Sequence, residues 1–148
     1  MEKKFGLCDD DSDKPAYSAT ESEDQWIATV INKIENVVFT PIDKCIIFEK
    51  DGSKDRESTC DGMLTFGDSL FLVELKSKRK NWFTEGIAQI ENTISLMRKH
   101  DAISRKYLKA YVCNKKHPNF TKIEHSFKKR FYDKTGFRID NQAVIQIR

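Results

Sequence analysis

The stretch CDGMLTFGDSLFLVELK, residues 60–76, sets two carboxylates and an ammonium, Asp61, Glu74 and Lys76, inside the most strand-like part of the chain. These residue types suit metal-assisted chemistry on an anionic substrate. Carboxylates are hard oxygen ligands for a divalent cation, and an ammonium can steady charge building on a phosphate. Their spacing sharpens the reading. Phe66-Gly67-Asp68-Ser69 has the chemistry of a hairpin with a two-residue turn. With Phe66 opposite Ser69, each step back along one strand matches a step forward along the other, so Asp61 falls opposite Glu74, with Cβ atoms about 4.5–5.5 Å apart. Lys76 shares that face because side chains alternate along a strand, while Phe71, Val73 and Leu75 point to the other side. Directly opposed like charges are destabilising. A salt-bridged cluster with Lys76 is the plainer way to offset them, yet buried ion clusters are often no better than apolar packing. A Mg²⁺ ion answers the problem better, because it takes one or two carboxylates, keeps several waters and accepts phosphate oxygens for the rest.

The elements that must position these residues follow from periodicity. Thr20 or Ser22 can cap a helix with Glu23 or Asp24 in its first turn, and Trp26, Ile27, Val30, Ile31 and Ile34 recur at helical spacing, which predicts a helix over 22–36. CIIFEK (45–50) reads as a strand, followed by a polar turn and the two hairpin strands. Ile87, Ile90, Ile94 and Met97 predict a helix over 83–100. A strand over 106–113, a helix over 119–132 and one or two short strands within 137–147 complete the order αβββαβαβ. The expected class is α/β, a single domain over residues 21–148 built on a mixed central sheet. Residues 1–20, acidic and without periodicity, are expected to form a flexible arm.

The net charge of +3 conceals an asymmetry. Residues 1–24 hold three Lys and eight Asp or Glu, whereas residues 75–148 hold 18 Lys or Arg and six acids. Clusters such as Lys78-Arg79-Lys80, Lys115-Lys116-His117 and Lys128-Lys129-Arg130 suggest a polyanion-binding surface, although charge runs are as often plain solvated faces. The longest apolar run, near 70–73, is far short of the roughly 20 residues of a membrane span. The start has no apolar segment of signal-peptide length, so a cytoplasmic protein with no membrane partner is expected. Four scattered cysteines lack the paired spacing of a zinc site and read as reduced thiols.

The spacing of an acid, a hairpin turn and Glu-x-Lys, here Asp61 … Glu74-Leu75-Lys76, resembles the active-site signature of the PD-(D/E)xK phosphodiesterase superfamily, which includes restriction endonucleases, junction resolvases and RecB-type nucleases. The resemblance covers roughly residues 22–113. It implies a three-layer αβα, restriction-endonuclease-like core of order αβββαβ, with a C-terminal helix and short strands added. It also implies a Mg²⁺-dependent deoxyribonuclease, Mn²⁺ substituting, that acts as an endonuclease rather than an exonuclease on DNA. Asp61 and Glu74 would be metal ligands together with the backbone carbonyl of Leu75, and Lys76 would position the attacking water or stabilise phosphate charge. Glu23, with Glu21 and Glu35 behind it, would be the first-helix acid that completes the metal site, and Gln89 would point in from the helix after the hairpin. Lys78, Arg79 and Lys80 would bind flanking phosphates. Cys60 stands where the family pattern has Pro. Trp82 and Phe83 suit base stacking or, more readily, the core. A second reading keeps the fold without catalysis, as a nucleic-acid-binding or protein-binding subunit. Strict sequence choice would require a homodimer or a larger complex.

Overall fold

The computed structural model describes residues 3–10, 13–34, 36–46, 58–116 and 123–148. Nine strands, two α-helices and one 3₁₀ turn form two mixed sheets among these residues. The larger sheet has the strand order β4-β5-β6-β7-β8, from β4 (Val38–Pro41), β5 (Gly62–Phe66), β6 (Ser69–Lys76), β7 (Tyr107–Asn114) and β8 (Arg138–Asp140). Its first three strands are antiparallel neighbours, while β6, β7 and β8 run parallel. Parallel neighbours need crossover connections. These are α1 (Trp82–Lys99), between β6 and β7, and α2 (His125–Thr135), between β7 and β8. The smaller sheet has the order β2-β1-β3-β9, from β1 (Lys3–Cys8), β2 (Tyr17–Ala19), β3 (Ala28–Asn32) and β9 (Val144–Ile147).

The larger sheet is apolar on both faces. On one side Leu70, Leu72, Ala110, Val112 and Ile139 pack with Trp82, Ile87, Ile90 and Ile94 of α1 and Phe131 of α2. On the other, Phe71, Val73, Leu75, Tyr111 and Cys113 meet Leu7, Val30, Ile145 and Ile147 of the smaller sheet. The layers are therefore helices, sheet and sheet. A strand buried on both faces must be a continuous apolar run, and SLFLVEL in β6 is one. Both clusters are closed by fully buried side chains, among them Leu7, Leu72 and Phe137. No helix of the described residues is long and apolar enough to cross a membrane.

The expected helix 83–100 corresponds to α1 and the strand 106–113 to β7, while the expected helix 119–132, of which 119–122 lie outside the described residues, overlaps α2 from His125 on. The expected helix 22–36 is replaced by a 3₁₀ turn, Glu23–Gln25, and by β3. Within ATVIN, Thr, Val and Ile are β-branched, and burial alternates along the segment, so the chain takes the period-2 conformation that those side chains favour. This turns the third layer from the expected helices into a sheet. The stretch read as an arm holds β1 and β2, because KKFGLC ahead of the acidic run supplies an apolar edge that pairs with β3. Of the strand expected at 45–50, residues 47–50 lie outside those described. Cys45 and Ile46 instead form a turn on the carbonyl of Ile42, and β4 takes the place beside the hairpin.

Candidate active site

The hairpin register is the one that the turn chemistry predicts. Phe66 pairs with Ser69 and Gly62 with Val73, which places Asp61 across from Glu74 just beyond the last ladder pair. Gly67 adopts φ 47°, a value open to glycine at the first central position of such a turn. Arg105 donates to the Gly67 carbonyl and braces the turn. The opposite end is fixed from the helix side, where Thr93 Oγ1 accepts from Cys60 N at 2.7 Å and donates to the Gln89 carbonyl at 2.7 Å. Asp61 Oδ2 accepts from Leu75 N at 2.7 Å, so its carboxylate is turned across the hairpin towards the Glu74-Leu75 peptide.

Both acids are withdrawn from water, Asp61 at 6% and Glu74 at 1% exposure. Gly86 of α1 lets the helix approach them. A Cβ there would lie 2.6 Å from a Val112 methyl and 3.4 Å from Glu74 Cγ. Burial pushes the Asp61 carboxyl up to about 6, against hydrogen bonds from Glu74 and Leu75 that favour its charged form, and Asp9 raises it further. Burial also drives Glu74 well above the ordinary carboxylate range, with Asp61 adding to the rise and the Lys76 charge opposing it. A carboxyl pair in this state is short of positive charge.

Lys76 lies at the end of the same strand. Its Nζ is 3.9 Å from Glu74 Oε2 and 4.0 Å from Glu85 Oε2, and it donates to Gln89 Oε1 at 2.6 Å. At 3.9 Å it does not hydrogen-bond Glu74. Glu74 Oε2 is buried with no hydrogen-bond partner. An orphaned carboxylate oxygen beside a second buried carboxyl fits the donor set of a hard cation. Among the described residues no group of three or more His, Cys, Asp or Glu side chains forms a ready ligand set, so the protein donors would be Asp61, Glu74 and the Leu75 carbonyl.

A cavity of about 280 Å³ opens on this cluster, lined by Asp61, Glu74, Leu75, Lys76, Lys78 and Gln89. The structure therefore gathers Gln89 and Lys78 with the hairpin triad. Lys78 is ion-paired with Glu85, whose carboxyl it holds below the usual range. Arg79 and Lys80 are exposed in the bend that follows. Glu23 is not brought in: it lies on the 3₁₀ turn and pairs with Lys4 at 3.0 Å on the surface. Without a first helix, no helical face carries an acid to the hairpin. Glu21, also outside the cavity lining, offers its carbonyl to Trp26 Nε1 at 2.9 Å, and Glu35 lies outside the described residues.

Two acids that sequence reasoning missed line the same cavity, Asp9 and Asp43. Asp9 directly follows β1, within the acidic run that had been read as an arm. Asp43 N donates to the Cys60 carbonyl at 3.1 Å, which extends the β4–β5 ladder to the level of the site. The signal for either would have been an Asp one or two residues past the end of a strand, visible only once β1 and β4 are known to be strands. Cys60 is buried, and desolvation raises its thiol pKa strongly. Trp82 is buried, and Phe83 packs on Phe127 at 5.7 Å, so both belong to the core. Comparison with protein-family models, curated proteins and solved structures finds no match for this chain.

Proposed function

We propose that the chain is a metal-dependent nuclease that hydrolyses phosphodiester bonds of DNA, with Asp61, Glu74 and the Leu75 carbonyl as protein donors to Mg²⁺ or Mn²⁺. The observation that carries this reading is the buried Asp61–Glu74 pair, with an unpartnered Glu74 oxygen and Lys76 on the same strand. When bound, the cation would lower the pKa of a coordinated water and neutralise charge on the phosphate. The chain's own residues supply the remainder. Leu75 N orients Asp61, and Gln89 anchors the Lys76 ammonium beside the carboxylates rather than on one of them. That ammonium is placed to stabilise charge developing on a phosphate oxygen. Lys78, Arg79 and Lys80 would hold flanking phosphates, which confers affinity without sequence choice.

The resemblance to the PD-(D/E)xK superfamily supports the same conclusion through Asp61, Glu74-Leu75-Lys76 and the run β4-β5-β6-α1-β7, although the layer beyond the sheet is built from strands. Endonucleolytic action in the cytoplasm is part of the proposal, with a second copy or a partner needed for strict sequence choice. One observation favours a non-catalytic nucleic-acid-binding module instead, namely that the described residues hold no three-carboxylate ligand set. The test is cleavage of circular, linear, branched and single-stranded DNA in Mg²⁺ or Mn²⁺. Cleavage that is lost in EDTA and in Glu74→Gln is expected. Cleavage that survives Glu74→Gln, or none on any substrate, would sink the nuclease reading.

A further inference from the structure

Away from the hairpin, at the β8 edge of the larger sheet, α2, β7 and β8 line an open cavity of about 570 Å³. Lys128, Lys129 and Tyr132 of α2 line it, with Lys109 of β7 and Arg138 of β8. These residues are scattered over 30 positions of sequence and meet at the β8 edge, where Lys109 and Arg138, paired in the parallel ladder on the face away from α2, come round to the cations of the helix. Like charges on neighbouring strands are unfavourable unless an anion joins them. Little in the protein serves as that anion. Among the described residues no acid forms an ion pair with Lys128 or Arg138, and Lys129 has only an exposed contact with Asp133 at 3.8 Å. Asp140 is the one acid in the lining, and its Oδ1 accepts from Asn141 N at 2.8 Å. Lys109 Nζ is held over the Phe71 and Tyr111 rings, at 5.6 and 5.9 Å.

The geometry points to a second nucleic-acid-binding site in this groove, one that grips phosphates of the strand on which the hairpin site acts. The identity of the anion rests on the nuclease reading; the groove itself does not. Tyr132 is 52% exposed among the cations, which adds an aromatic face suited to an unpaired base. Arg138 lies two strands from β6 and level with Phe71, on the face of the sheet opposite Glu74, so a nucleic-acid strand that meets both passes around the β8 edge.

The experiment measures binding of labelled 30-nucleotide single-stranded and duplex DNA in EDTA across a salt series, for the full chain and for Lys128→Gln/Arg138→Gln. Lys3→Glu serves as a control, since it makes the same change in net charge on the smaller sheet. The groove predicts that the double variant binds about tenfold more weakly at moderate salt and that its slope of log K against log salt is shallower by about 2, with the control near wild type. Photo-crosslinking of an iodouridine-substituted strand to wild-type protein, mapped by mass spectrometry, should label the peptide that contains Tyr132. An unchanged slope in the double variant overturns the proposal. So does an equal loss in Lys3→Glu, crosslinks confined to residues 76–83, or equally tight binding of a polyglutamate peptide, which would signal an acidic protein partner. If the double variant does not fold, the crosslink decides. Groove-dependent binding without cleavage would sink the nuclease reading alone, whereas Glu74-dependent cleavage with no groove effect would sink this one alone.

Discussion

Glu74→Gln should make the metal-free protein more stable at alkaline pH while abolishing its proposed activity. Glu74 is buried, its Oε2 has no hydrogen-bond partner, and Asp61 is its neighbour across the hairpin. The Asp61 carboxyl titrates near 3.8 when the chain is unfolded and at about 6 when folded. Between those values the folded state binds more protons than the unfolded state, so stability is greatest in acid and falls as pH rises through the folded pKa. At 1.36 kcal/mol per pKa unit the Asp61 contribution alone approaches ~3 kcal/mol, and Glu74, also raised by burial, adds a loss of the same sign. A neutral Gln removes the like-charge part of this penalty but leaves the burial of Asp61, so a gain of about 1–2 kcal/mol at pH 8 is expected. For a chain of this size that corresponds to roughly 3–6 °C in Tm. Thermal melts by circular dichroism in EDTA from pH 4 to pH 8 measure it, with the two proteins converging at pH 4, where the wild-type pair is protonated. A variant less stable than wild type at pH 8, or a difference independent of pH, would refute the reasoning.

Thr93→Val removes the acceptor of the buried Cys60 N–H and should cost about 1–3 kcal/mol in urea denaturation; an unchanged midpoint would show that Cys60 is held by something else. Gly86→Ala gains about 1 kcal/mol of helix propensity but drives a Cβ to within 2.6 Å of the buried, β-branched Val112. Overpacking of about 1–3 kcal/mol should win, and a higher Tm would contradict the close approach of α1 to the site. Lys76→Gln should lower kcat for cleavage by about 10²–10³. DNA affinity measured in Ca²⁺ should change much less, and an effect confined to affinity would reassign Lys76 to binding.

Local signals were legible where one element decides its own structure. The hairpin register follows from Gly67-Asp68 and from alternation, and it places Asp61, Glu74 and Lys76 together without any tertiary information. The Ile87, Ile90, Ile94 and Met97 stripe likewise marks α1. The failures share a physical cause. The run WIATVIN, Trp26 to Asn32, satisfies helical and strand periodicities about equally over so short a span, and pairing with β1 and β9 decides for the strand. That one outcome turns a layer of helix into sheet, moves Glu23 to the surface and brings Asp9 to the cavity. The basic groove was legible only as the run Lys128-Lys129-Arg130, of which Lys128 and Lys129 line it. Its partners Lys109 and Arg138 arrive through a parallel ladder that no local pattern encodes.

The central claim, that Asp61 and Glu74 hold a catalytic cation, is tested most directly by electron paramagnetic resonance of Mn²⁺ titrated into the protein, with Asp61→Asn and Glu74→Gln run beside it. The account predicts at least one bound ion per wild-type chain and loss of that ion in both variants, each still folded. No bound Mn²⁺ in the wild type, or equal binding in all three proteins, would contradict it.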